Sequence, residues 1–156
     1  MLYVHESHID AEPCAVFAFH EQPDALARLV PPWEKVEIVQ PPSSLRPGTR
    51  VLLRMRMGPL AMLWEAEHTR YERGVLFQDR MVRGPFRTWL HTHRFLPEDQ
   101  GTRLRDEVEY ELPLFAQPFA PLIRRRLRRM FEHRHRVTAE AAPALQTRQE
   151  AAKFPP

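Results

Sequence analysis

Two hydrophobic periods divide this chain of 156 residues. Near the C-terminus, Phe119, Leu122, Ile123, Leu127, Met130 and Phe131 recur in steps of three and four, which lines them up as one stripe of an amphipathic helix. We place this helix at Phe115 to Glu140. The opposite face carries Arg124, Arg125, Arg128, Arg129, Glu132 and His133, so one side is solvated and the other needs an apolar partner. Pro118 and Pro121 suit a first turn, where a missing backbone N–H costs little. Pro143 predicts that the helix stops before it.

Upstream the period is mostly two. Leu2 to Ile9 reads as a strand, and Asp10 can cap a short helix over Pro13 to His20 in which Val16, Phe17 and His20 share a face. A second short helix over Pro23 to Leu29 is stopped by Pro31-Pro32. Strands follow at Glu34 to Val39, Thr49 to Met57, Leu60 to Arg70, Val75 to Val82, Phe86 to Phe95 and Thr102 to Leu112. The turns between the last five are Gly58-Pro59, Glu72-Arg73-Gly74, Arg83-Gly84-Pro85 and Pro97 to Gly101. This order predicts an α+β fold: a curved antiparallel sheet of about seven strands, two short helices after the first strand, and the long helix packed across the sheet. Residues 1–142 are expected to form one domain and residues 143–156 a disordered tail.

Composition narrows the picture. With 43% hydrophobic residues, the core is large enough to enclose a pocket, and 16 prolines against 5 glycines imply short elements with hard stops. The single Cys14 excludes an internal disulfide and is expected to be a small buried residue. No signal segment and no apolar run of roughly 20 residues appears, which predicts a cytoplasmic protein. The net charge of +3 is concentrated on the final helix. Its arginines read either as a solvated face or, at Arg124, Arg125, Arg128 and Arg129, as a contact with an anionic membrane surface. Without interleaved aromatics or a groove-reading module, no nucleic-acid partner is expected.

Candidate chemistry lies on the strand Phe86 to Phe95, where alternation puts Trp89, His91, His93 and Phe95 on one face. If Phe95 pairs with Leu104, then His93 lies opposite Asp106, His91 opposite Val108 and Trp89 opposite Tyr110. A register matching Asp79 to His91 would bring in a second carboxylate. An imidazole oriented by a carboxylate can serve as a base or can hydrogen-bond a ligand, and equally the pair can satisfy itself inside a sheet. His-x-His aims two nitrogens one way, but the Cys/His spacing of a zinc site is absent and no metal or cofactor is predicted. Trp64, Ala66 and His68 share a face that could line a pocket, with Glu65 and Glu67 solvated opposite. Ser43 and Ser44 lie in a proline loop with no histidine or acid near them in sequence, so a serine triad has no support.

Several local motifs carry a resemblance over about residues 3–140. Pro31-Pro32-Trp33, Gly48-Thr49, Arg83-Gly84-Pro85-Phe86, the run Trp89 to Phe95, Asp106 to Tyr110 with Leu112-Pro113, and Phe131-Glu132-His133-Arg134 resemble the START/SRPBCC superfamily. Within it they are similar to a bacterial branch of coenzyme Q-binding START and polyketide cyclase-like proteins. The resemblance implies the helix-grip fold and a cavity between sheet and final helix for a small hydrophobic ligand, a quinone, isoprenoid or lipid. On this reading the protein is a carrier or sensor whose pocket draws on Trp64, Phe77, Asp79, Trp89, His91, His93, Asp106, Val108, Tyr110, Leu122, Met130 and Phe131. The alternative is a cyclase- or hydrolase-type enzyme with His91 or His93, oriented by Asp106, as general base.

Overall fold

The structure, a computed structural model, describes residues 1–57 and 60–153. The expected Gly58-Pro59 turn and the last three residues of the expected tail lie outside the described residues. The chain forms β1 (Leu2–Ile9), α1 (Pro13–His20), α2 (Ala25–Leu29), β2 (Val36–Gln40), β3 (Arg50–Met57), β4 (Leu60–Glu72), β5 (Leu76–Arg83), β6 (Thr88–Glu98), β7 (Gly101–Glu111), a 3₁₀ turn (Leu114–Phe119) and α3 (Ala120–Lys153). All neighbouring strands are antiparallel in the order β1-β7-β6-β5-β4-β3-β2, so the α1–α2 connection carries the chain from one edge of the sheet to the other. With α3 across the concave face, this is the helix-grip arrangement that the pattern predicts.

Register is set by short turns. Gly74, at φ +74°, supplies the left-handed residue for the β4–β5 reversal. Between β6 and β7 the reversal is tighter than expected: β6 continues through Pro97, paired with Thr102, to Glu98, and Gln100 takes the positive φ of 60°. Gly101 follows because a Cβ there would collide with the Ile9 carbonyl oxygen. The resulting pairs are Phe95–Leu104, His93–Asp106, His91–Val108 and Trp89–Tyr110, with Asp79 opposite His91 on the other side. Register shifts in β4 at Glu65/Ala66 and His68/Arg70 bend that strand over the helix.

The helix grips unevenly. Its second half packs on β1 and α1, where Ala142 joins the cluster of Ile9, Val16, Phe17 and Phe95, and Ala141 and Leu145 meet Phe19, Ala25 and Leu29. Its first half touches the sheet through Leu127 and Phe131, beside Tyr3, Trp89, Val108 and Tyr110. Glu65 and Glu67 lie on the outer face, paired with Arg50 and Arg80.

Four expectations are corrected. Helix α3 does not stop at Pro143 but runs to Lys153: the packing of Ala141, Ala142 and Leu145 and the hydrogen bond from the Glu12 N–H to the Gln146 side-chain oxygen (2.8 Å) offset one lost helical bond. Asp10 does not cap α1, because the cap position falls on Glu12, where no side-chain cap is formed. Cys14 is exposed, because the buried face of α1 falls on Ala15, Val16 and Phe19. Phe119 and Leu122 are 58% and 64% exposed. Leu122 shares its helix face with Arg126 and Arg129 rather than with Ile123, Leu127 and Met130, and Phe119 still belongs to the 3₁₀ turn.

The burial pattern separates two truncations by chemical denaturation. Phe131→Ala, at 0% exposure, should cost about 3–5 kcal/mol. Leu122→Ala should stay within about 0.5 kcal/mol.

Candidate ligand cavity and its polar end

Where the first half of α3 lifts from the sheet, a cavity of about 460 Å³ opens. Its apolar walls come from Leu26 and Leu29 of α2, Val51, Leu53 and Met55 of β3, Met62, Trp64 and Ala66 of β4, and Ile123, Leu127 and Met130 of α3. Of the residues expected in a pocket, Trp64, Phe77, Asp79, Trp89, His91, His93 and Met130 line it. Val108, Tyr110 and Phe131 instead pack behind the wall, at 0%, 3% and 0% exposure, and Asp106 lies beneath the histidines. Leu122 points to solvent. Sequence reasoning missed His20, Arg134 and His135. His20 reads from sequence only as part of the core face of α1, and the other two follow Phe131 by three and four residues, a helical spacing that puts them on the sheet-facing side.

The polar groups gather at one end around Asp106, itself 2% exposed. Its carboxylate accepts hydrogen bonds from His91 Nε2 (2.9 Å) and His135 Nε2 (2.6 Å), the second reaching across from α3. Ser7 Oγ in turn donates to His135 Nδ1 (2.6 Å), so a chain of bonds joins β1, α3 and β7. Ser7 does not line this cavity, so the relay orients groups and presents no nucleophile there. His93 Nδ1 stands 2.6 Å from Asp106 Oδ1, an ion-pair distance, yet the ring is turned so that this nitrogen has no aligned hydrogen-bond partner. We take the contact as electrostatic rather than as a hydrogen bond.

The other nitrogens face the cavity. Asp79 Oδ2 lies 3.5 Å from His91 Nδ1 and 3.9 Å from His93 Nε2, and the His91 and His93 rings are 3.9 Å apart. His68 lines the same end with neither ring nitrogen in hydrogen-bond geometry, although the Gln78 backbone is near. Arg134 reaches in from α3 with its guanidinium 5.6 Å from the Phe131 ring centre and Nε buried without a partner.

Burial governs the electrostatics. It holds His93 well below the usual histidine range, helped by His91 and opposed by Asp106. It lowers His68 and Arg134 too, with Asp79 and Asp106 pulling Arg134 back up. Asp106 is held well below the usual carboxylate range: burial raises it, but the surrounding histidines prevail. His20, which donates Nδ1–H to the Val16 carbonyl (2.9 Å), is lowered to about 4 by burial; the Val16 bond and Asp106 raise it, and His135 and Arg134 lower it.

At the other end the rim is apolar and basic. Leu114 and Phe115 are 74% and 81% exposed beside Phe119 and Leu122, and Phe115 also lines the cavity. Arg124, Arg125, Arg128 and Arg129 are exposed along α3, Arg129 stacking 5.2 Å over Trp33. Arg126 donates Nε–H to Glu34 (3.0 Å) at the lip.

A pH dependence follows from His20. Its folded-state value is depressed, so the unfolded chain takes up the proton first; the stabilisation is complete above about pH 6.5 and is lost as pH falls toward about 4. That interval is worth about 3 kcal/mol. Denaturant titrations at pH 7 and pH 4 should show this loss, in the same direction as those of His68 and His93, and His20→Gln should reduce it.

Comparison with known proteins fits this architecture. The family described as polyketide cyclase/dehydrase and lipid transport matches residues 9–136. No curated protein matches the chain in sequence. Among solved structures, TTHA0849 from Thermus thermophilus is 23% identical with a TM-score of 0.72, over 92% of this chain and 98% of that one. Norcoclaurine synthase from Thalictrum flavum, in complex with dopamine and hydroxybenzaldehyde, is 19% identical with a TM-score of 0.65, over 90% and 87%. The di-domain ARO/CYC StfQ from the steffimycin biosynthetic pathway is 12% identical with a TM-score of 0.65, over 96% of this chain and 51% of that one. At these identities the structures speak for the fold alone. With the family match spanning most of the sheet and helix, the chain belongs to the polyketide cyclase/dehydrase and lipid transport family of the SRPBCC superfamily.

Proposed function

We propose that the protein binds a small, largely apolar ligand carrying a polar oxygen group, of the quinone, isoprenoid or lipid kind, as a carrier or sensor. The observation that carries this reading is the cavity of about 460 Å³, apolar along its walls, with histidines, Asp79 and Arg134 gathered at one end and the Arg126–Glu34 pair at the lip. Ligand sites have this character: hydrophobic surface supplies affinity and a few placed polar groups fix orientation. Family membership supports ligand binding in general, and the named relatives' own substrates are theirs.

A second reading, a cyclase- or hydrolase-type enzyme, is favoured by one feature. Among the described residues, neither His91 nor His93 is hydrogen-bonded at both ring nitrogens, so each keeps one nitrogen for a proton at the cavity. Burial keeps His93 neutral and so able to accept a proton, while the same burial weakens it as a base.

A ligand insoluble in water must be collected from a surface. The apolar rim of Leu114, Phe115, Phe119 and Leu122 beside Arg124, Arg125, Arg128 and Arg129 supports docking on an anionic bilayer, each basic residue contributing about 1 kcal/mol there. Among the described residues no helix is long and apolar enough to cross a membrane. A peripheral, cytoplasmic protein is the setting we propose.

Two measurements test this. A quinone or isoprenoid probe should quench Trp64 and Trp89 fluorescence saturably, and Leu53→Trp, which fills the cavity, should weaken binding about tenfold or more without unfolding the chain. Probe binding equal to that of an unrelated protein rejects the cavity reading, and turnover of bound probe that His93→Gln abolishes selects the enzyme. Separately, association with anionic vesicles should vanish at high salt, since exposed charges are screened over about 8 Å at physiological ionic strength. Neutralising Arg124, Arg125, Arg128 and Arg129 should do the same, while probe affinity stays unchanged.

A further inference from the structure

Asp79 Oδ2, His91 and His93 each present one ligand atom, and the three atoms lie within 4.8 Å of one another. What surrounds them decides what they are for. Behind the two rings, Asp106 Oδ1 lies 2.9 Å from His91 Nε2 and 2.6 Å from His93 Nδ1. Only the His91 contact is an aligned hydrogen bond, so the His91 proton sits on Nε2 toward Asp106, whereas His93 Nδ1 is drawn to the carboxylate by charge alone. His91 Nδ1 then turns a lone pair toward Asp79 Oδ2 at 3.5 Å, and His93 Nε2 stands 3.9 Å from the same oxygen. Three ligand atoms converge there, an arrangement that a metal cation satisfies by accepting from all three at once. A carboxylate that grips the far nitrogen of a histidine is also the usual support of a metal-bound imidazole, fixing its tautomer and strengthening the donor.

We propose that Asp79, His91 and His93 form a site for one divalent first-row transition ion, such as zinc, with Asp106 as the positioning carboxylate behind both imidazoles. Two nitrogens and one carboxylate oxygen suit such an ion better than calcium or magnesium, which take oxygen donors. Nitrogen and oxygen donors about 2.0–2.2 Å from a tetrahedral ion stand about 3.4 Å apart, so small side-chain rotations close the observed separations. Charge favours occupancy: two carboxylates, Asp79 and Asp106, stand here against one cationic side chain, Arg134, whose charge both of them stabilise. The two strands β5 and β6 supply all three ligands, so the set is held by ladder pairing rather than by a loop.

The remaining coordination positions open on the cavity. They would accept an oxygen donor, and Arg134, with Nε unpartnered, lines the same end to meet its negative charge. A carboxylate, phenolate or enolate on an apolar body is the ligand class this implies. That class rests on the cavity reading above, whereas uptake of the metal does not and is measured with no organic ligand present.

The test uses the full chain, stripped with a chelator and titrated with zinc by calorimetry and with cobalt(II) by visible absorption. We expect one ion per chain, a rise in melting temperature that chelation reverses, and affinity lowered about tenfold or more by Asp79→Asn and by His93→Gln. Circular dichroism confirms that each variant is folded; Asp79, whose side chain is 17% exposed, is the substitution that least disturbs the core. His8, an exposed histidine paired with Asp10 and Glu98, serves as the surface control, so His8→Ala should leave uptake unchanged. An alkyl hydroxamate, a bidentate oxygen donor with an apolar tail, should alter the cobalt spectrum. Absence of stoichiometric uptake overturns the proposal, as does uptake lost with His8→Ala and retained with Asp79→Asn. Imidazole nitrogen resonances identical before and after metal addition would also overturn it, because a proton would then hold the cluster together. A cobalt spectrum indifferent to the hydroxamate would overturn the open coordination positions alone.

Discussion

A carboxylate buried to 2% exposure survives as an anion only if hydrogen bonds replace its water, and Asp106 draws them from two separate layers of the fold. His91 reaches it from β6 and His135 from α3, with Ser7 of β1 holding His135 in turn. This bond network ties the helix to the sheet at one defined height. Sliding α3 by a turn would separate His135 from Asp106 and strand a buried charge. Apolar packing grips the helix, and the polar network specifies where along its length it is gripped.

The cavity follows from that anchoring. Beyond Phe131 the helix lies close on β1 and α1 and its partners are small: Ala141 and Ala142 let it approach. Before Phe131 the strands β3 and β4 curve away through the bulges in β4, and Ile123 and Met130 remain only half-buried. A helix pinned at one end against a bending sheet leaves a wedge of space at the other. Pinning is strong enough that α3 carries Pro143 in its interior without ending there.

How much of this was legible depends on which period sets each residue's direction. Strand alternation is strict, so the pairs from Phe95–Leu104 to Trp89–Tyr110, and Asp79 opposite His91, could be read from sequence once one turn was placed. Inside a helix, direction depends on phase, and the assumed stripe was too wide. It took in Leu122, which is solvated, and stopped short of Arg134 and His135, whose polarity disguised a buried face. The tail was misread because a local rule about proline outweighed the apolar residues Ala141, Ala142 and Leu145 around it. Depth within a layer was not legible at all: alternation puts His91, Val108 and Tyr110 on one face, but only packing decides that His91 meets the cavity while Val108 and Tyr110 are covered.

The polar end also constrains what can fill the cavity. His68 and Arg134 already sit there with buried nitrogens lacking aligned partners, a cost of about 1–3 kcal/mol for each group that a wholly apolar occupant would leave in place. A ligand that brings an oxygen to this end removes part of that cost, and its apolar body gains about 25 cal/mol for each Å² buried against Leu53, Trp64 and Met130. Affinity therefore comes from the walls, while discrimination comes from the floor: hydrocarbons of equal size fit the walls equally but leave the floor unsatisfied. The same asymmetry favours one orientation, since a reversed ligand would leave the buried nitrogens of His68 and Arg134 without partners.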